Sequence, residues 1–410
     1  MKKQLLLLTG LLLALWSCQQ DQVAPREEIQ LRKLSIEEKE LLNASNSFAM
    51  DLTKELVQEG SQNLFFSPYY IHMDLSMAIN GAERNTLAQM QKVQQCDVLE
   101  RLEVNKLYNS LNTLLGSIDN QVQFVSAHAL WHREEIDIRP LFSDIIMAYY
   151  GAGVEALDFD DRKAPLTINK WVEEHTSGKV EAKIPALIPY ESLYLISATH
   201  LKGYWTFPFA KENTAPGTFY LNDKKEVTVP MMFTDQAAYR YHQDAQKTLI
   251  DIPYGNKQYS MTILMPHQGD SIADQLKNLS IKSLEQSLEQ ADTLDYHLYL
   301  PKFNVNSQLN LKEPLSNLGI KDAFSAQADF SGILNDSTAR IKVADLIHQA
   351  GIEVNESGIQ TVMPRVAAAS VSAATPVVRI NRPFIFFIRE QHTGVILYAG
   401  VIKNPGVAQE

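Results

Sequence analysis

Cysteine is almost missing from this chain: Cys18 and Cys96 are its only two in 410 residues. That excludes a disulfide framework and a structural zinc site built on thiolates, so the fold must be held by its core. The motifs of nucleotide and hydrolase chemistry are missing too. There is no Gly-x-Gly-x2-Gly, no Gly-x4-Gly-Lys, no Gly-x-Ser-x-Gly and no His-Glu-x2-His. Nothing calls for a cofactor or a metal, and the chain does not read as an enzyme. Basic residues are in deficit, 37 against 48 acidic ones for a net charge of −11, which argues against nucleic acid or an anionic lipid surface as partner. Internal repeats, low-complexity tracts and domain linkers are lacking beyond about residue 35. What remains is ordinary globular material, 45% hydrophobic and 21% charged, long enough for one large core or two modest ones.

One long apolar run exists, at the N-terminus. Lys2 and Lys3 precede "LLLLTGLLLAL", and "WSC" follows, ending at Cys18. This resembles a bacterial lipoprotein signal, residues 1–17, with Leu15 and Ser17 ahead of a cysteine that receives lipid. The run from Leu5 to Leu15 is too short to span a bilayer. Residues 18–33 read as a polar tether reaching about 40 to 50 Å, and residues 34–410 as a single domain. The mature chain from Cys18 then carries 35 basic and 48 acidic residues, a net charge of −13, because the first 17 residues hold two lysines and no acid. The expected location is outside the cytoplasm, lipid-anchored to the outer membrane on its periplasmic or surface face, or extracellular.

Along the domain, "LSIEEKELLNASNSFAMDLTKELVQ" spaces Leu41, Leu42, Phe48, Leu52 and Leu56 at helical intervals. A second helical stretch breaks at Gly81 and Ala82. "QVQFVSAHALWH" alternates as a strand, so His128 and His132 share a face by strand geometry rather than by a helical metal spacing. "LTINKWVEEHTSG" suits a helix and "YLISATHLKGYW" a strand, and short strands bounded by Pro and Gly follow. "GAGVEALDFDD" reads as a strand and turn, "HREE" and "NDKKE" as solvated turns. The last third is strand-rich, with "DYHLYLPKFNV", "RPFIFFIRE" and "GVILYAGVIKNP". Helices mostly first and strands mostly last indicate an α+β domain.

Several of these segments together resemble the serpin family, covering nearly everything from Leu34 to Pro405. "NLFFSPYYIHMDLSMAINGAERNTLAQM" carries Ser67 and Pro68 at the family's Ser-Pro step, and "WVEEHTSGKV" is similar to the helix across its main sheet. "SATHLKGYWTFPF" brings Lys202, Gly203, Trp205, Pro208 and Phe209, and "VPMMF" follows. "GIEVNESG", a small-residue stretch and "RPFIFFIREQHTGVILYAGVIKNP" close the chain in the family's order. The resemblance implies three β-sheets, about nine helices and an exposed reactive-centre loop. In inhibitory members a protease cleaves that loop as a substrate, and the loop then enters the main sheet as a new strand, carrying the acylated protease with it.

On that resemblance Glu356, Gly358, Ile359 and Thr361 form the hinge, and Ser67, His348 and Trp205 control sheet opening. Ser197 and Tyr70 stand where the family often has Asn and Ser. Counting from Gly358, the scissile bond falls between Ser372 and Ala373, flanked by Val371 and Ala374. Small side chains from Ala367 to Ala374 suit an elastase-like or subtilisin-like serine protease, with papain-like cysteine proteases as a wider class. Arg365 offers an alternative cut, too early in the loop to translocate a protease. The hinge departs from the inhibitory pattern at Ile359, Met363, Pro364 and Arg365, because a bulky side chain and a proline disfavour a central strand. The alternative is therefore a non-inhibitory binding module, chaperone or sacrificial substrate. Heparin-type activation is not expected, since "DVLERLEVNKLYNSL" offers only Arg101 and Lys106. The chain is expected to be a monomer.

Overall fold

Local chemistry starts the first two helices where the sequence suggests. Ser35 accepts the Glu38 N–H while the Glu38 carboxylate returns to the Ser35 N–H, a reciprocal cap that opens the helix Ile36–Leu56. Leu41, Leu42, Phe48 and Leu52 on its inner stripe are buried. Ser67 caps the helix Pro68–Ile79, where the proline's missing donor costs nothing at the first position. Every residue of that helix is buried, so it lies inside the molecule and not on its surface. The computed structural model describes residues 31–57, 62–222, 224–336, 339–359 and 376–407. Nine α-helices occur among the described residues.

Two hydrogen-bonded sheets are present among them. The first runs in the spatial order Phe303–Asn310, Val343–Val354, Leu193–Tyr204, Val122–Arg133 and Gly153–Leu157, with the short Gly358–Ile359 also on Leu193–Tyr204. The second has nine strands. Its far end, made by Ala215–Asn222, part of Lys225–Gln243, part of Asp292–Pro301 and Val377–Arg379, is set off by a register shift between Thr234 and Ala237. The strands of the expected third sheet are this far end, joined to the rest through Lys225–Gln243 and Asp292–Pro301.

The 19-residue strand Lys225–Gln243 corrects the expectation of short strands broken at each proline. Pro230 stands opposite Pro216, and its carbonyl accepts the Lys302 N–H on the other side. Its nitrogen therefore also points away from Pro216, and the ladder between those two strands loses no donor there.

One face of the first sheet packs on the helix Ala164–His175, with Ile168 and Val172 against Trp131, Ile196, Ala198 and Ile347. The opposite face meets the helix Pro68–Ile79 and the Leu64–Phe66 strand of the second sheet. From Lys33 onward the described residues form one unit.

Candidate functional site

The strands Leu193–Tyr204 and Val343–Val354 are neighbours in the middle of the first sheet, and they run parallel. The expected control residues lie on the seam between them. His348 sits opposite Ser197 and is fully buried. The Ser67 N–H donates to His348 Nε2 at 3.0 Å, so that nitrogen carries the lone pair. Nδ1 then holds the proton and bonds Ser197 Oγ at 2.8 Å, directly across the seam. Ser67 Oγ donates to the Leu397 carbonyl at 2.6 Å and accepts the Tyr70 N–H at 3.2 Å. Three elements thus close on one imidazole, which burial, and secondarily the neighbouring His128, pushes down to about 3.

Next to this knot lies a pair that sequence reasoning missed. Asp74, in the helix Pro68–Ile79, is bonded through Oδ1 to His128 Nδ1 at 2.7 Å, and both side chains are buried. His128 faces Ser197 in register, so His128, Ser197 and His348 form one row across three strands. The lone acid of the stretch Pro68–Ile79 was the available signal. His132, four residues on, bonds the Arg133 carbonyl instead; the two histidines share no ligand.

At the top of the seam the chain turns back. Asn355 and Gly358 exchange both backbone hydrogen bonds, at 2.9 and 3.1 Å, and Gly358 and Ile359 then pair antiparallel with Tyr204 and Gly203. Gly358 has φ +123°, and a Cβ there would lie 2.3 Å from the Gly203 carbonyl oxygen. Only glycine meets both conditions. Trp205 holds the turn with two donors, its N–H to Ser357 O and its Nε1–H to Asn355 O, each at 3.0 Å. Its ring stacks on Tyr254 at 4.3 Å.

Glu356 is the other anchor. Its carboxylate accepts Lys302 Nζ at 2.9 Å and Thr214 Oγ1 at 2.8 Å, and its carbonyl accepts the Phe209 N–H at 2.9 Å. Burial pushes this carboxyl up, but the bonds from Lys302, the backbone and Thr214 outweigh it and leave the group below the usual carboxylate range. Lys302 and Thr214 carried no mark in the sequence. The structure therefore brings Ser67, His348, Trp205, Glu356, Gly358 and the Ile359 backbone to one seam. Cys18, Thr361, Met363, Pro364, Arg365, Val371, Ser372, Ala373 and Ala374 lie outside the described residues.

A sequence model of the family described as Serpin (serine protease inhibitor) matches residues 43–405. The chain is 31% identical to leukocyte elastase inhibitor of Bos taurus over 389 residues, 89% of this chain and 100% of that protein. It is 30% identical to Iripin-8 of Ixodes ricinus over 384 residues, 90% of this chain and 95% of that one. Among solved structures, human thyroxine-binding globulin complexed with its hormone superposes with a TM-score of 0.83 at 25% identity, covering 90% of this chain and 99% of that chain. Native protease nexin-1 with heparin gives 0.82 at 26%, covering 90% and 100%.

Proposed function

The chain belongs to the serpin family, and from that premise we propose that it inhibits serine proteases by suicide-substrate trapping. The observation that carries this reading is the hinge: Gly358 and Ile359 already occupy the top of the seam, antiparallel to Leu193–Tyr204. A strand continuing from that start would run down between the two parallel strands. Fourteen residues from Gly358 to Ser372 give a strand of roughly 46 Å at about 3.3 Å each. That length would carry a protease acylated at Ser372 most of the way across the domain. An elastase-like or subtilisin-like target fits the small residues around Ser372 and Ala373, and one relative is named as an inhibitor of leukocyte elastase. Lipidation of Cys18 would hold the inhibitor outside the cytoplasm on a membrane, its tether giving reach to a passing protease.

A second reading, a serpin-fold protein that binds or is consumed without inhibiting, is favoured by one feature. Pro364 would fall in the middle of the inserted strand, where it cannot donate to the ladder. A neighbour in structure, thyroxine-binding globulin, is crystallised as a hormone complex.

Mixing the purified protein with an elastase and with a subtilisin separates the two on a denaturing gel with mass spectrometry. Trapping predicts a complex that survives denaturation and a released peptide beginning at Ala373. Clean cleavage without a complex across a protease panel refutes trapping. Ser372→Arg redirects the inhibitor toward trypsin if the bond is rightly placed; unchanged behaviour with trypsin refutes the placement.

A further inference from the structure

Away from the seam, the helices Ile36–Leu56, Arg84–Gln94 and Lys312–Leu318 border a cleft of about 270 Å³. The first helix contributes Phe48 and Asp51 to its lining, the second Gln89, Lys92 and Val93. Residues three or four apart share a helix face, so each set forms one wall. Leu318 and Gly319 complete the lining where the third helix ends. The buried part of the lining is apolar: Phe48 is fully buried, and Val93 and Leu318 are half-buried. Bonds beside the cleft tie its walls together. Glu55 accepts the Asn317 amide at 2.7 Å, and Asp322 accepts that of Asn85 at 2.6 Å. Gln89 Oε1 accepts the Lys321 and Asp322 N–H groups at 2.9 and 2.8 Å. The cleft is therefore preformed.

None of those bonds uses up the charges in the lining. Lys92 and Asp51 are both exposed and carry opposite charges on different walls, yet they make no ion pair with each other. The Lys92 ammonium has no hydrogen bond or ion pair among the described residues, and the Asp51 carboxylate accepts only the Gln95 amide, at a long 3.4 Å. Because Gln89 Oε1 is committed to the backbone, its amide nitrogen keeps both donors. One wall thus offers donors and the other a carboxylate, with apolar surface in the same cleft.

We propose that this cleft binds a free α-amino acid with an aromatic or large aliphatic side chain. Lys92 and the Gln89 amide take its carboxylate, Asp51 takes its ammonium, and Phe48, Val93 and Leu318 receive the side chain. The size agrees, since a cleft just below the usual range for drug-sized ligands holds about a dozen non-hydrogen atoms, as in phenylalanine. The charges agree too. An ammonium and a carboxylate on one carbon bridge two opposite charges that do not reach each other, whereas a singly charged ligand leaves Lys92 or Asp51 without a counter-charge. The third helix is itself anchored to the central strand Val343–Val354, through Leu311 N–H to the Leu346 carbonyl and Lys312 N–H to Asp345 Oδ1, each at 2.9 Å. An amino acid joining the three helices would stabilise the body of the domain without touching the seam.

Isothermal titration calorimetry on the full protein tests this with three compounds: L-phenylalanine, N-acetyl-L-phenylalanine, which lacks the ammonium, and L-phenylalaninamide, which lacks the carboxylate. Phenylalanine is expected to bind with a Kd of about 0.1–1 mM and to raise Tm as its concentration rises. Each analogue should bind about tenfold more weakly. Lys92 and Asp51 are exposed, so substituting either leaves the packing intact. Lys92→Gln should erase the preference for phenylalanine over its amide while keeping that over the N-acetyl compound, and Asp51→Asn should do the reverse. Neither heat nor a rise in Tm with millimolar phenylalanine, equal binding of the three compounds, or the same effect of both substitutions on every compound would each overturn the proposal. None of these outcomes depends on whether the protein traps a protease.

Discussion

Acid should loosen this protein, because its seam is closed by a histidine that must be neutral. His348 is held down to about 3 by burial and by His128, and His72 down to about 4 by burial, partly offset by its bond to the Gln94 carbonyl. Both lie below the ordinary value near 6.5. Between those limits the unfolded chain takes up protons that the folded chain refuses, so stability falls as pH falls. Each such histidine costs about 1.4 kcal/mol per pH unit below 6.5. From pH 6.5 to 4.5 the pair removes about 5 kcal/mol, a large share of an ordinary domain's stability. His132 and His200, also lowered by burial, add to the slope. Glu356, whose carboxyl is depressed, adds its loss only below that window. The assay is the urea-unfolding free energy at half-unit steps of pH, for wild type and for His348→Asn, which keeps an acceptor for the Ser67 N–H. The variant should be flatter by about 1.4 kcal/mol per unit. Protection of the Ser67 amide, corrected for the intrinsic exchange rate, should fall in the same window, because the opened chain takes up the proton that the folded imidazole refuses. Parallel slopes for the two proteins would refute the reasoning.

Other perturbations address the top of the seam. Gly358→Ala places a Cβ against the Gly203 carbonyl at a φ of +123°. It should cost on the order of 2 kcal/mol and free the Trp205 amide, seen as faster hydrogen exchange there without a comparable fall in Tm. Lys302→Ala leaves the Glu356 carboxylate with Thr214 and the backbone. Because Lys302 is about a third exposed, a loss of about 1–2 kcal/mol is expected at neutral pH. It should shrink as the pH is lowered through the depressed range in which the Glu356 carboxyl takes up its proton, read by urea unfolding. Pro364→Ala would restore a ladder donor to the strand that the proposed insertion would form. It should raise the trapped fraction of protease, by up to about 100-fold if the proline costs about 3 kcal/mol in the insertion barrier.

Much of the frame could be read from the chain. Helix periods locate Ile36–Leu56 and Ala164–His175, because each buries a stripe, whereas Val122–Arg133 and Leu193–Tyr204 read as strands although both lie in a sheet covered on both faces. Gly358, the Ser-Pro step and His348 were singled out through the resemblance, and the geometry shows what each touches. What escaped were partnerships across distance. Asp74 meets His128, and Lys302 meets Glu356, each at a separation of 54 residues; nothing local marks either pair. The 19-residue strand escaped because Pro230 reads as a break unless its carbonyl direction is known. Alternation alone also could not show that the two central strands run parallel, which is the fact that turns a sheet into a seam.

That parallel pair has a consequence for concentration. A strand entering between Val343–Val354 and Leu193–Tyr204, running against both, would exchange one parallel ladder for two antiparallel ones, each stronger per residue. The sheet does not distinguish the owner of such a strand. If the proposed insertion takes place and the chain's own loop is slow to enter, a loop from a second copy would compete for the same place. Its advantage would grow with the concentration of the protein, so under that proposal dilution as well as fold would set the working lifetime.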